Sequence, residues 1–126
     1  NFANRIKEDL PLQIYGNGNQ TRTFCYINDA IVGFFLVILN GVPGEAYNIG
    51  NPNPEISIIE LVRKIEAVLG KSIKYDIVEY PDSYPSDEPN RRAPDIKKAT
   101  VQLEFQALVQ LDEGLKRFLG WANKIY

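Results

Sequence analysis

The chain reads as an α/β fold of short strands and amphipathic helices, and three observations lead to that class. Stretches with strand-like and helix-like spacing of apolar residues alternate along the sequence. With 126 residues, 44% of them apolar and 24% charged, there is enough chain for one domain over residues 1–126 around one core. The strand-like stretches are too short and too few for a complete doubly wound sheet, and no repeat or low-complexity tract intervenes.

The elements follow in order. Phe2, Ile6 and Leu10 recur at helical spacing, so residues 1–10 form a short helix that Pro11 breaks. In LPLQIYGNGNQTRTFCYIND, residues 10–29, two strand-like runs flank Asn17-Gly18, which predicts a hairpin with a type I′ turn. The apolar run Ala30 to Leu39 is expected to be a buried helix at the centre of the fold, capped by Asn28 and Asp29 and stopped at Asn40-Gly41. It falls well short of the ~20 residues that a membrane-spanning helix needs. A short strand is predicted over Ala46 to Ile49, and a turn-rich loop over Gly50 to Pro54.

The next helix carries strong signals. Ser57 and Glu60 form a capping box, Ile58, Leu61, Val62, Ile65 and Leu69 share one face, and Gly70 closes the end. Residues 73–78 alternate as a strand with Ile73, Tyr75 and Ile77 on its apolar side. After a loop bearing Pro81, Pro85, Pro89 and Pro94, Asp95 caps a short helix through Ala99 to about Leu103. A last helix from near Asp112 buries Leu115, Phe118, Leu119, Ala122 and Ile125, with Trp121 at its flank.

Composition excludes several functions. A balance of 14 basic and 16 acidic residues, net charge −2, offers no broad surface for nucleic acid, so an anion must be held locally. Without histidine there is no Ser-His or Cys-His nucleophile, nor a metal-ligand cluster of recognisable spacing, and no metal is expected. Cys25, the only cysteine, reads as a buried structural thiol inside an apolar strand, which fits a reducing, cytoplasmic setting. Glu8, Asp9, Asp82, Asp87 and Glu88 read as solvated carboxylates without a catalytic role. A chain that opens on Asn1 and holds no methionine is expected to be a fragment of a longer product.

Candidate chemistry lies with arginine. Arg22 stands beside the Asn17-Gly18 turn with Gln20 and Thr21, and Arg91 and Arg92 close the proline-bearing loop. A guanidinium fork matches phosphate oxygens two at a time, so two separated arginine sites point to a bridged anion. Gly16-Asn17-Gly18 is not a dinucleotide fingerprint, because it runs into a strand rather than a helix, and no P-loop occurs. Tyr15, Tyr26 and Tyr47 read as packing residues of strands; Tyr15 alone borders the turn closely enough to touch a ligand.

The order I-Y-G-x-G-x-Q-T-R-x-F-x-Y (Ile14 to Tyr26), Asp29, Y-N-I-G (Tyr47 to Gly50) and R-R-x-P-D-I-x-K-A (Arg91 to Ala99) resembles the C-terminal part of the extended short-chain dehydrogenase/reductases that act on nucleotide sugars. Within them it is most similar to the UDP-glucuronate decarboxylases, with dTDP-glucose 4,6-dehydratases and nucleotide-sugar epimerases close behind. The resemblance implies a small substrate-binding domain whose cofactor-binding Rossmann domain is absent from this chain. It implies that Gln13, Ile14 and Tyr15 line uracil, that Arg22 and Arg92 contact the diphosphate, and that Arg92 also serves catalysis near the sugar carboxylate. In the parent enzyme NAD, bound by the other domain, would oxidise the sugar at C4 and later return the hydride; a homodimer is the expected assembly. The family's G-x-x-G-x-x-G loop and Tyr-x-x-x-Lys pair have no counterpart here, so the chain alone is expected to bind no cofactor and to be inactive. Glu104, Phe105 and Ala107 replace the residues of the family's usual L-G-W-x-P turn. A free-standing nucleotide-sugar binding module is the other reading.

Overall fold

The computed structural model describes residues 2–83 and 89–125, without the side chain of Ile125. The expectations for Asn1, Pro85, Asp87, Glu88 and the burial of Ile125 therefore lie outside the described residues. Five helices and five short strands are seen among the described residues: α1 (Phe2–Lys7), β1 (Leu12–Tyr15), β2 (Thr21–Arg22), α2 (Ile27–Asn40), β3 (Ile56–Ser57), α3 (Ile58–Leu69), β4 (Tyr75–Val78), β5 (Arg91–Arg92), α4 (Lys97–Leu103) and α5 (Leu111–Ile125). They make a two-stranded sheet, β1 parallel to β4, and a three-stranded sheet in the order β3-β2-β5.

The hairpin expected between residues 10 and 29 does not form. β1 pairs with β4 and β2 with β3 and β5, so the two runs belong to different sheets. Positive φ falls on Gly16 (68°) and Gly18 (73°), not on Asn17, whose side chain accepts the Asn19 N–H at 2.9 Å. Gly18 also needs its missing Cβ for space, since one would stand 2.7 Å from Ile59 Cγ1. The turn thus packs onto the start of α3 instead of doubling the chain back.

That helix forms as its local signals require. Ser57 Oγ accepts the Glu60 N–H at 3.1 Å while the Glu60 carboxylate accepts the Ser57 N–H at 2.8 Å, and Gly70 ends the helix at φ 65°. Leu61, Val62 and Ile65 face a main core shared with Ile6, Leu12, Ile14, Ile56, Leu111 and Leu119. Apolar burial of this kind contributes about 25 cal/mol per Å², and it is what holds β1 in place. α1 ends at Lys7, earlier than Pro11 demands, because Asp9 turns to φ 53° and Arg5 Nε donates to the Pro11 carbonyl at 2.6 Å.

The apolar helix α2 is not at the centre. Phe34, Phe35, Ile38 and Leu39 are each more than half exposed. Cover reaches one side only: Gly33 lies against Ile49 and Phe105, and Leu36 and Val37 pack on a second cluster of Ala99, Leu103 and Phe105. Nor do Asn28 and Asp29 cap it, for the helix starts at Ile27 without a side-chain cap. The buried Asp29 carboxylate instead accepts the Val109 N–H at 2.9 Å, fastening the approach to α5.

Other local expectations are corrected for related reasons. Residues 46–49 form no strand; the Tyr47 hydroxyl is held by side chains, donating to Gln102 Oε1 at 2.7 Å beneath the Lys98 ammonium. Tyr26 and Cys25 lie in the coil before α2, and Cys25 is half-buried. On β4, which is shorter than expected, Tyr75 and Ile77 face outward, since no described element covers this edge strand. In α5, Leu119 and Ala122 are buried, but Phe118 and Trp121 pack on each other in solvent at 6.0 Å between ring centroids.

Asp95 does serve the start of α4, its carboxylate accepting the Lys97 N–H at 2.9 Å. The helix ends on Glu104 in the left-handed conformation, φ 54° and ψ 25°, and Phe105 follows into full burial. A glutamate thus occupies a conformation where glycine is at ease. A left-handed residue with a Cβ costs about 1–2 kcal/mol. Glu104→Gly is expected to stabilise the chain by about 1 kcal/mol, read as a higher denaturation midpoint with unchanged slope.

Candidate functional site

A cleft of about 580 Å³ opens between α1, β1, β2 and the N-terminus of α3, and Gln13, Ile14, Tyr15, Arg22 and Arg92 all border it. The five residues singled out in the sequence are thus brought together. Each strand presents its residue for a different reason.

On β1, the Leu12 N–H donates to Lys74 O at 2.8 Å and the Gly16 N–H to Val78 O at 2.9 Å. Backbone groups alternate in direction along a strand, so those of Gln13 and Tyr15 point to the opposite edge, which no described strand pairs. The Tyr15 carbonyl accepts from Gln20 Nε2 at 3.0 Å, and its ring stacks on Tyr80 with centroids 5.7 Å apart. Gly16 permits this stack, because a Cβ there would stand 2.9 Å from Tyr80 Cε2.

On β2 and β5 the parallel register sets Arg22 opposite Arg92 and Thr21 opposite Arg91. Cross-strand partners share a face of a sheet and neighbours along a strand do not. Arg22 and Arg92 therefore stand together, between the cleft and a second hollow of about 660 Å³ bordered by Thr23, Cys25 and Asn51. The Arg22 guanidinium is steadied by the Thr21 carbonyl at 2.8 Å and the Asn90 carbonyl at 3.4 Å.

Arg91, which the sequence groups with Arg92, does different work. Its Nε lies 2.9 Å from Glu55 Oε1 and one terminal nitrogen 2.8 Å from Oε2, while Thr21 Oγ1 donates to the same carboxylate at 2.5 Å. These hydrogen bonds, Thr21's first and Arg91's second, hold the Glu55 carboxyl below its ordinary pKa of 4.5. Sequence reading missed Glu55, Arg5 and Tyr80. No local motif marks Glu55; Arg5 and Tyr80 reach the cleft from a polar helix face and the mouth of the proline loop.

Residues 1–50 match the NAD dependent epimerase/dehydratase family. UDP-glucuronic acid decarboxylase 1 of Xenopus tropicalis is 33% identical over 124 residues, which is 98% of this chain and 28% of that protein. The crystal structure of Bacillus cereus UDP-glucuronic acid 4-epimerase in complex with UDP-glucuronic acid and NAD superposes with a TM-score of 0.87 at 32% identity, over 98% of this chain and 38% of that one. Residues 1–50 thus carry the match to that family, and nearly the whole chain is similar to part of these nucleotide-sugar enzymes. A dTDP-glucose 4,6-dehydratase from Bacillus anthracis, in complex with NAD, also superposes, with a TM-score of 0.83 at 26% identity, over 98% of this chain and 37% of that one.

The glycines after β1 do not form a dinucleotide fingerprint. Gly16 and Gly18 lead in sequence into β2 rather than into a helix, as that fingerprint would require. Among the described residues no group of three His, Cys, Asp or Glu could hold a metal ion, and no helix is long and apolar enough to cross a membrane. The Cys25 thiol is pushed up by burial and then by the charge of Asp29, so it stays protonated at neutral pH.

The lowered Glu55 carboxyl fixes a sign for acid sensitivity. A depressed folded-state pKa contributes stability that is complete above the ordinary 4.5 and lost as pH falls through the lower folded value. Acidification below 4.5 is expected to loosen the β2–β5 pairing. Chemical shifts of the Thr21 and Arg91 amides against pH would follow it, and Glu55→Gln should remove that titration.

Proposed function

We propose that residues 1–126 are the substrate-binding domain of an NAD-dependent nucleotide-sugar enzyme and hold the UDP part of a UDP-sugar. The observation that carries this reading is the pairing of Arg22 with Arg92 beside the open edge of β1. Uracil presents a ring N–H between two carbonyl oxygens, and an open strand edge offers alternating N–H and C=O groups to match. Gln13, Ile14 and Tyr15 would receive the base, and the two guanidinium groups would close on the diphosphate.

The sugar would then continue past the arginines toward the second hollow. Arg92 borders both spaces and is the residue proposed to meet the sugar carboxylate. Decarboxylation of UDP-glucuronate is the reaction proposed for the whole protein, supported by several relatives named UDP-glucuronic acid decarboxylase. The same reading takes the whole protein as a cytoplasmic homodimer. This chain's part is positioning, which can be worth several kcal/mol when remote binding energy aligns the reacting group.

Binding of UDP and of uridine to the isotope-labelled chain, followed by NMR, tests the reading. Arg22→Ala and Arg92→Ala are each expected to weaken UDP by about tenfold, the scale of a lost charge-assisted hydrogen bond. Uridine affinity should be unchanged. In the complete protein Arg92→Ala should also lower turnover. Unaltered UDP affinity in both variants would overturn the clamp.

A further inference from the structure

β5 is two residues long and both are arginine, so its side chains alone do not say which one faces the cleft. Backbone pairing is equally sparse: β2 and β3 are two residues each, and the Thr21 N–H to Asn90 O bond at 2.8 Å is the hydrogen bond that leads into the β2–β5 pairing. Short strands of this kind are weakly specified in register, and a slip of one residue moves every side chain to the other face. Shifted one way, Asn90 would come opposite Thr21 and Arg91 opposite Arg22. Shifted the other way, Arg92 would come opposite Thr21 and Ala93 opposite Arg22.

The second slip is blocked downstream. Gly50 approaches Pro94 so closely that a Cβ there would stand 2.9 Å from Pro94 Cγ, and Asn48 Nδ2 donates to the Asp95 carbonyl at 3.0 Å. Against the first slip stands Glu55. This one carboxylate, from the residue just before β3, takes the forked hydrogen bonds of Arg91 on β5 and the hydroxyl of Thr21 on β2. It joins three strands at a single point.

We infer that Glu55 is a positioning residue: by holding Arg91 against Thr21 it fixes the β2–β5 register and delivers Arg92, not Arg91, to the cleft opposite Arg22. Isolated surface ion pairs are worth little, but a bidentate arginine–carboxylate contact with a third donor belongs to the geometries that matter. Side-chain exposure supports the distinction, since the Glu55 side chain is 26% exposed. The inference rests on the sugar-nucleotide reading of the cleft. Glu55 itself touches no part of the proposed ligand site: it borders neither the cleft nor the second hollow.

The test uses Glu55→Ala, at a residue that borders neither hollow, and Arg91→Ala, at a side chain 68% exposed that itself borders the second hollow, so the Glu55 variant decides where the two disagree. For each variant, UDP affinity, uridine affinity and hydrogen exchange at the Thr21 amide are measured by NMR. UDP should bind about tenfold more weakly in either variant, uridine as in the parent chain, and the Thr21 amide should exchange faster. Equal losses for UDP and uridine would mean general loosening and would overturn the assignment, as would unchanged UDP affinity in Glu55→Ala. Should the unmodified chain bind no UDP, the sugar-nucleotide reading falls by itself, and an unchanged Thr21 exchange rate in both variants would then refute the register lock independently.

Discussion

Everything of interest in this molecule depends on one parallel pairing, β2 with β5, in which Arg22 meets Arg92 and Thr21 meets Arg91. The two rungs send opposite messages. One sets two arginines side by side on a wall of the cleft. The other neutralises its arginine on Glu55 and so helps to hold the first in place.

The cleft's other wall is rigid for a different reason. β1 is fixed by the burial of Leu12 and Ile14 in the main core, and Tyr15 is held further by Gln20 on its carbonyl and by Tyr80 against its ring. The turn after β1 is tied to α3 through the Ile58 N–H to Gln20 O and Ile59 N–H to Gly18 O bonds, both 3.2 Å. A helix with a reciprocal cap at that end makes a firm anchor. Packing sets one side of the site and polar contacts set the other.

What the sequence disclosed follows from how local each signal is. α3 was legible in full because a capping box, a helical stripe and a closing glycine all lie within the helix and its flanks. Arg22, Arg92 and residues 13–15 are singled out by ordered motifs, and all of them border one cleft. The hairpin was misread because a strong turn signal says nothing about remote partners, and β4 and β5 lie far along the chain. α2 was misplaced because composition calls for cover without saying what provides it. Arg91 could not be told from Arg92, since its partner Glu55 is 36 residues away.

The pairing of Arg22 with Arg92 also has a bearing on how the chain reaches its native state. The wall joins segments from opposite ends of the sequence, so closing it costs the entropy of a long loop before any contact repays it. Helix α3 can begin from its own cap, whereas the arginine pair has no local precursor. No stretch of chain shorter than residues 2–92 contains the whole cleft. The cleft can therefore close only after the chain has been made through Arg92, whereas α3 needs nothing beyond its own residues and flanks.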